Sequence, residues 1–461
     1  MAAGQARRRS GSPSRPPSDR RRYDREIVRL AVPATAALAA EPLYLLADTA
    51  IVGRLGTPQL GGLAVAATVL LAGHSLVLFL AYGTTAAVGR LLGAGNRAGA
   101  AAAGVQGLWL AAGLGVTLTV VGLALAEPAM GLMGASETVW PYALTYFRIS
   151  LIGVPALLVT MAATGYLRGL QDFRTTVVLA SCSAVANLLL EVVLVLWLGL
   201  GVSGSAWSTV AVQVVVAAFC LRIVLRAARR LDVPRRPEWA ALRRLAVVSR
   251  DLFVRSAALR LSLTLATAVA ARIGVVDLGA HQVAFELWSF LALVLDGLAI
   301  AAQASVGRRL GAGDIAGARA SARRMVELGV ILGAVLGALV LASRPWLPGV
   351  FSEDDAVRDL TAFLLLWVAV LQPVNGAVFV LDGILIGAGD LRFLAGAMVL
   401  AAATFVPAAV AVLVLDLGIG WLWVAIALLM ATRMVALGGR FAGAAWAVPG
   451  AVAPARTRGR R

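Results

Sequence analysis

VGRLLGAG at residues 88–95 recurs as VGRRLGAG at residues 306–313, an ungapped shift of 218 positions. Working outward at that shift, Arg54-Leu55-Gly56 falls on Arg272-Ile273-Gly274, Leu60-Gly61 on Leu278-Gly279, and Pro155 on Pro373. Gly165, Leu167, Gly169, Asp172 and Arg174 fall on Gly383, Leu385, Gly387, Asp390 and Arg392. Several separated matches at one offset mark an internal repeat rather than coincidence in a Gly/Ala/Leu-rich chain. The halves are expected at 26–230 and 243–441, joined by a basic linker at 231–242.

The material of each half is apolar. Of 461 residues 60% are hydrophobic and the mean hydropathy is +0.87, which excludes a soluble globular class and indicates a polytopic membrane protein. Backbone polar groups in lipid must be satisfied within the spanning segment, so helices are expected; the ten-residue alternating segments of a membrane barrel are absent. Twelve apolar segments are read, at about 26–53, 59–89, 98–126, 138–167, 174–199, 203–227, 243–273, 278–309, 317–343, 356–386, 392–416 and 419–441. The fold expected is all-α, twelve transmembrane helices in two pseudo-symmetric six-helix bundles. An even number per half inserts both halves in the same orientation, a parallel repeat about the membrane normal. Pro33, Pro155, Pro373 and Pro407 fall inside helices, where each removes a backbone hydrogen bond.

The net charge is +17 and every one of the 41 basic residues is Arg. These cluster in tails and alternate loops: Arg90 and Arg97; Arg168 and Arg174; the run from Arg226 to Arg244; Arg308, Arg309 and Arg319; and Arg392. That pattern places both termini in the cytoplasm and assigns the charge to topology and lipid headgroups, with no nucleic-acid partner. Residues 1–25 are read as a disordered basic tail without the pattern of a signal peptide, and 442–461 as a second basic tail. Cys182 and Cys220 lie in apolar segments and support neither a disulfide framework nor a metal site. No HExxH, GxSxG or Cys/His cluster supports an enzyme, and no cofactor is expected.

Function is then sought among polar residues inside spans. Asp48 lies within the first apolar segment, where an ionisable group costs roughly 2.5–3.5 kcal/mol on insertion scales and faces a protein interior or a water-filled cavity. Glu41, Tyr44 and Asp48 share one helix face, and Ser183, Asn187 and Glu191 form a stripe spaced by four. Thr209 and Gln213 repeat that spacing in the sixth segment. The eighth carries Gln282, Glu286, Ser289, Asp296 and Gln303, a stripe expected to line a second cavity. Two readings stand beside each other: interhelical hydrogen bonds, worth about 0.6–2 kcal/mol each, or an ion and substrate site. At the repeat offset Asp48 meets Ala266, Asn187 meets Phe405 and Glu191 meets Ala409, so the polarity is not shared, which favours a specialised site in the first half. The lone histidines His74 and His281 are read as structural. Mid-span positions are read as nearly free of Arg, Arg148 excepted, which argues against an anionic pyrophosphate cargo.

ADTAIVGRLG in the first segment, the two VGR-x-LGAG turns and TGYLRGLQDFRT after the fourth resemble the MATE (multidrug and toxic compound extrusion) transporters; AHQ at 280–282 and LDGLAIAAQA at 295–304 resemble their DinF branch. The resemblance covers nearly all of 26–441. It implies a secondary multidrug efflux antiporter of amphipathic, often cationic compounds in the bacterial inner membrane, acting as a monomer by alternating access. The family's acid of the first helix falls on Asp48, its amide and acid of the fifth on Asn187 and Glu191, and its bending proline on Pro33. The coupling ion is H⁺ or Na⁺. The Na⁺-coupled branch keeps acids in helices 7 and 10, where this chain has only Asp251, Asp359 and Asp382 near helix ends, and that departure argues for H⁺. A lipid-linked oligosaccharide flippase of the same superfamily is the alternative.

Overall fold

Long uninterrupted apolar runs in lipid have only the helix with which to satisfy their backbone, and helices are what form. The computed structural model describes residues 17–133 and 136–451. The first half contains α1 (Pro17–Gly53), α2 (Thr57–Val77), α3 (Phe79–Gly93), α4 (Arg97–Ala124), the short α5 (Ala126–Leu132), α6 (Trp140–Gly169), α7 (Phe173–Glu191) and α8 (Gly201–Arg230). The second contains α9 (Trp239–Ile273), α10 (Val275–Gly311), α11 (Ile315–Ser343), the single-turn α12 (Pro348–Phe351), α13 (Asp355–Ala388), α14 (Leu391–Val414) and α15 (Ile419–Ala442).

Among the described residues, 11 helical stretches are long and apolar enough to cross a membrane, with α2 and α3 counted as one. α1, 37 residues and about 55 Å long, covers the remaining expected segment. The protein is therefore a multi-pass membrane protein, as its composition requires. Two spans depart from simple helices. The second breaks at Leu78, and the fifth passes after Glu191 into a π-helical segment, Val192–Trp197. Helix α1 begins at Pro17, so residues 17–25, expected within the basic tail, are its first turns. At the other end, 443–451 fold back onto the bundle. Trp446 is buried and donates to the Phe441 carbonyl, and the Gly450 N–H donates to the Leu310 carbonyl.

The repeat has a physical content: it places glycines where helices cross backbone to backbone. A Cβ on Gly165 would meet Ala81 of α3, and one on Gly383 would meet Ala299 of α10, the same contact displaced by 218. Gly115 abuts Pro155 and Gly333 abuts Gln372 and Pro373, again in register. The VGR-x-LGAG turns are helix stops followed by helix starts. Gly95 and Gly313 adopt φ of 75° and 78°, the left-handed region that ends a helix. Asn96 then caps α4 through the Gly99 N–H (2.7 Å), and Asp314 caps α11 through the Gly317 N–H (2.7 Å).

The same turns join the halves. A Cβ on Gly93 would strike the Arg308 carbonyl, and one on Gly311 the Arg90 carbonyl, so α3 and α10 touch at equivalent points across the pseudo-twofold. Arg90 adds hydrogen bonds to the carbonyls of Ala388 (2.8 Å), Val448 (2.7 Å) and Gly450 (3.1 Å). The start of α1 is tied to the second half by Asp24–Arg324 (2.6 Å) and Glu26–Arg309 (2.7 Å), with the Tyr23 ring under Arg309 at 5.2 Å. The molecule is thus shut at the end that carries both terminal segments.

Gly383→Leu is expected to destabilise the protein by about 1–3 kcal/mol through overpacking, whereas Gly396→Ala, which meets nothing within 4 Å, is neutral or slightly stabilising. Thermal unfolding of the two variants in detergent checks this; an equal Tm would remove the glycine crossings as the reason for the repeat.

Candidate functional site

Three helices of the first half converge on the acids. α1 delivers Asp48, α7 delivers Asn187 and Glu191 on successive turns, and α8 delivers Ser205, Thr209 and Gln213 at steps of four. Asp48 is 1% exposed, Glu191 0% and Asn187 4%. The Ser205 hydroxyl donates to Asp48 Oδ1 at 2.5 Å, and Asn187 Nδ2 donates to Thr209 Oγ1 at 3.2 Å. Asp48 and Ser205 are also the polar neighbours of the Glu191 carboxylate. Both Glu191 oxygens and Asn187 Oδ1 are buried without a hydrogen-bond partner. Neither acid has an ion-pair partner among the described residues. Two buried carboxylates side by side, with three buried oxygens left over, form a site that lacks positive charge.

The cluster borders a cavity of about 650 Å³ between α2, α4, α6, α8 and the start of α9. Its walls are apolar, with Leu114, Phe147, Leu157 and Phe253 among them; His74, Ser150, Gln213 and Arg250 are polar exceptions. Thr209 lines the cavity and accepts from Asn187, so one side chain belongs to both cavity and cluster. Gly153 faces Gln213 and leaves room for its amide. His74, read as structural from the sequence, stands on the cavity wall; His281 is buried against Phe285 and Trp423.

The side chains of Glu41 and Tyr44 lie outside the described residues. Pro33 sits in α1 without breaking it. The stripe on α10 divides instead of lining one cavity. Gln282 and Glu286 are exposed and bond to each other (3.0 Å); a four-residue spacing does not tell an outer face from a cavity wall. Asp296 lies deeper, near Arg255, Arg433, Arg168 and Asp382. Gln303 is buried and donates to the Tyr82 carbonyl at 2.6 Å.

The expectation that mid-span positions lack Arg is overturned. Arg433 of α15 is buried and Arg255 of α9 is mostly buried, and both donate to Asp382 Oδ2 at 2.5 Å. Asp382 is therefore a neutralised member of the second half's core and not a helix-end acid. Single arginines in long apolar runs gave no sign that they would meet one carboxylate. Ser205 was missed, although its spacing of four from Thr209 was the signal that would have found it. The π-helical turn after Glu191 left no mark in the composition; such turns are frequent at functional sites. At the pseudo-symmetric positions Ala266, Phe405 and Ala409 are fully buried, so apolar packing fills the place that the polar cluster occupies in the first half.

Comparison with known proteins agrees with this architecture. The MatE family model matches residues 33–193 and 252–411, one match per half and in the register of the repeat. The DNA damage-inducible protein F of Escherichia coli (strain K12) is 30% identical over 387 residues, 83% of this chain and 84% of that protein. The multidrug resistance protein MdtK of Edwardsiella ictaluri is 26% identical over 392 residues, 80% of this chain and 83% of that one. Among solved structures, a MATE protein in the bent conformation superposes with a TM-score of 0.83 at 21% identity, covering 91% of this chain and 94% of that one. The two matched halves, the twofold arrangement of helices and the relative at 30% identity over most of both chains make this chain a member of the MatE family of multidrug efflux transporters.

Proposed function

We propose that the chain is a proton-coupled antiporter that expels amphipathic, cationic compounds, with Asp48 and Glu191 as the coupling pair. The observation that carries this reading is the buried Asp48–Ser205–Glu191 cluster, without a compensating cation among the described residues, joined through Asn187 and Thr209 to an apolar cavity. Two adjacent carboxylates in a poorly hydrated interior do not both stay ionised unopposed; a proton or a cationic cargo supplies the missing charge. Cargo and proton then favour different states, which is all that exchange requires thermodynamically. Protonation neutralises the pair, releases the cation and lets α1 adjust near Pro33; deprotonation on the other side resets it. A cavity of about 650 Å³ is of drug size, and its apolar walls with a few polar groups suit flat, lipophilic cations.

Na⁺ is the second reading, favoured by one observation: Glu191 Oε1 and Oε2 and Asn187 Oδ1 are oxygens of the kind a hard cation takes. The lipid-linked oligosaccharide alternative is no longer opposed by a scarcity of interior arginine. It is opposed by the two buried acids beside a mostly apolar cavity, on whose wall the charged residue is Arg250, itself paired with Asp251. The Arg-rich end that carries the terminal segments is assigned to the cytoplasm, which makes the arrangement outward-facing in a bacterial inner membrane. Transport is assigned to a monomer and no enzyme activity is proposed.

In inverted vesicles a pH gradient alone is expected to drive ethidium efflux by the wild type, with Asp48→Asn and Glu191→Gln each reduced to background at normal membrane levels. Transport driven by Na⁺ and indifferent to pH would move the assignment to the second reading, and full activity of both variants would end the role of the pair. Ser150→Phe, which narrows the cavity without touching the carboxylates, is expected to raise KM for ethidium roughly fivefold, about 1 kcal/mol of lost cargo contact. An unchanged KM would place the cargo elsewhere.

A further inference from the structure

At the shut end of the molecule lies a second cavity of about 870 Å³, lined by Arg21, Arg25 and Arg29 of α1, Leu170 and Gln171 of the α6–α7 turn, and Arg308 of α10. The three α1 arginines are spaced by four and form one stripe. Acids of the same helix are committed elsewhere: Asp24 holds Arg324 with both oxygens, while Glu26 holds Arg309 with one oxygen and accepts from Ser305 with the other. Glu26 also borders the cavity, but its charge is already matched. Arg21, Arg25 and Arg29 have no hydrogen bond or ion pair among the described residues and are exposed. Arg308 reaches only Gln171 Oε1, at 2.6 Å. Gln171 is held there by a turn with φ of 63°.

Four guanidinium groups around one cavity, which Leu30 and Leu170 also line, repel one another and are planar, forked donors that match phosphate oxygens. One turn further along α1, Leu30 and Ala34 are buried against Phe173, Ile300, Ala301 and Ala304, so the stripe stands where polar surface gives way to apolar packing. The cavity also straddles the junction of the halves: the α6–α7 turn belongs to the first and Arg308 to the second, and the Arg308 carbonyl is the group that meets Gly93. We propose that this cavity binds a phosphate group, and that the bound phosphate clamps the two halves together at this end. A basic pocket at the membrane surface between helices is a site for an anionic lipid headgroup; a soluble phosphate has the same chemistry.

The test uses the full chain reconstituted in phosphatidylcholine nanodiscs, with phosphatidylglycerol added in one arm and inorganic phosphate in the other. Thermal unfolding is followed for wild type, for Arg21→Gln/Arg25→Gln/Arg29→Gln, and for Arg229→Gln/Arg230→Gln/Arg243→Gln, which removes equal charge from exposed positions outside the cavity. A ligand of the folded state raises Tm in a saturable way. The expected result is a saturating rise for wild type and the control variant that the pocket variant loses. A rise with phosphatidylglycerol alone makes the lipid the source, and one with inorganic phosphate alone makes it a soluble anion. No rise for wild type, or equal loss in both variants, overturns the site. Spin labels at positions 97 and 319 in a cysteine-free background read the clamp. The effective ligand is expected to narrow their distance distribution in wild type and not in the pocket variant; an unchanged wild-type distribution overturns the clamp.

Discussion

The contact between α3 and α10 at Gly93 and Gly311 is the constraint on which the rest depends. Each glycine admits the carbonyl of an arginine from the other half, Arg308 or Arg90, and any side chain at either position would hold the halves apart. This contact is made once by each copy of the repeated turn. The arginine beside it then ties in neighbouring segments: Arg90 holds Ala388, Val448 and Gly450, and Arg308 holds Gln171. A contact built of backbone carries no hydrophobic driving force in lipid; close packing and hydrogen bonds hold it. Such a junction is compatible with an end that closes and reopens.

Symmetry governs the scaffold and is broken at the site. Helix crossings at Gly165 and Gly383, or at Gly115 and Gly333, are copies. The interior of the two halves is not. Where the first half sets Asp48, Asn187 and Glu191, the second sets Ala266, Phe405 and Ala409 in a sealed core. The second half has charges of its own, but they are closed upon themselves, with Asp382 shared between Arg255 and Arg433. A carboxylate held by two guanidinium groups is poorly suited to exchange its partner for a transient ion. Among the described residues the first half's carboxylates have no such partners, which is what the proposed exchange requires.

The fold was legible in the chain because its two determinants are local or periodic. Apolar runs locate the helices to within a few residues, the start of α1 at Pro17 excepted, and the shift of 218 pairs them. What remained hidden is what one apolar residue cannot say about another. The break at Leu78 and the π-helical turn after Glu191 interrupt runs of unchanged composition. Whether Gln282 and Glu286 face a cavity or the outer surface depends on how α10 packs in the bundle, which spacing does not encode. The pairing of Arg255 and Arg433 with Asp382 joins positions 127 and 51 residues apart, and nothing in the neighbourhood of any of the three announces it. At the candidate site, one-helix spacing grouped Asn187 with Glu191. The resemblance set Asp48 with them in one site of the first half; the contact with Ser205 required the bundle.

α1 connects the two ends of this arrangement. Asp24 and Glu26 fasten its start to Arg324 and Arg309 of the second half, and Asp48 near its far end is bound to Ser205 of the first. The 24-residue separation of Asp24 and Asp48 spans about 36 Å as a helix. Between them, Leu30 and Ala34 pack against both Phe173 of α7 and Ile300 of α10, so the helix is gripped by both halves along its length. In the proposed cycle a change of charge at Asp48 alters what α8 holds at one end of a rod whose other end is anchored to the opposite half. Coupling then needs no long chain of side chains. In that proposal one helix carries two sets of anchors, a polar site assigned to the ion and an ionic site at which the halves are joined.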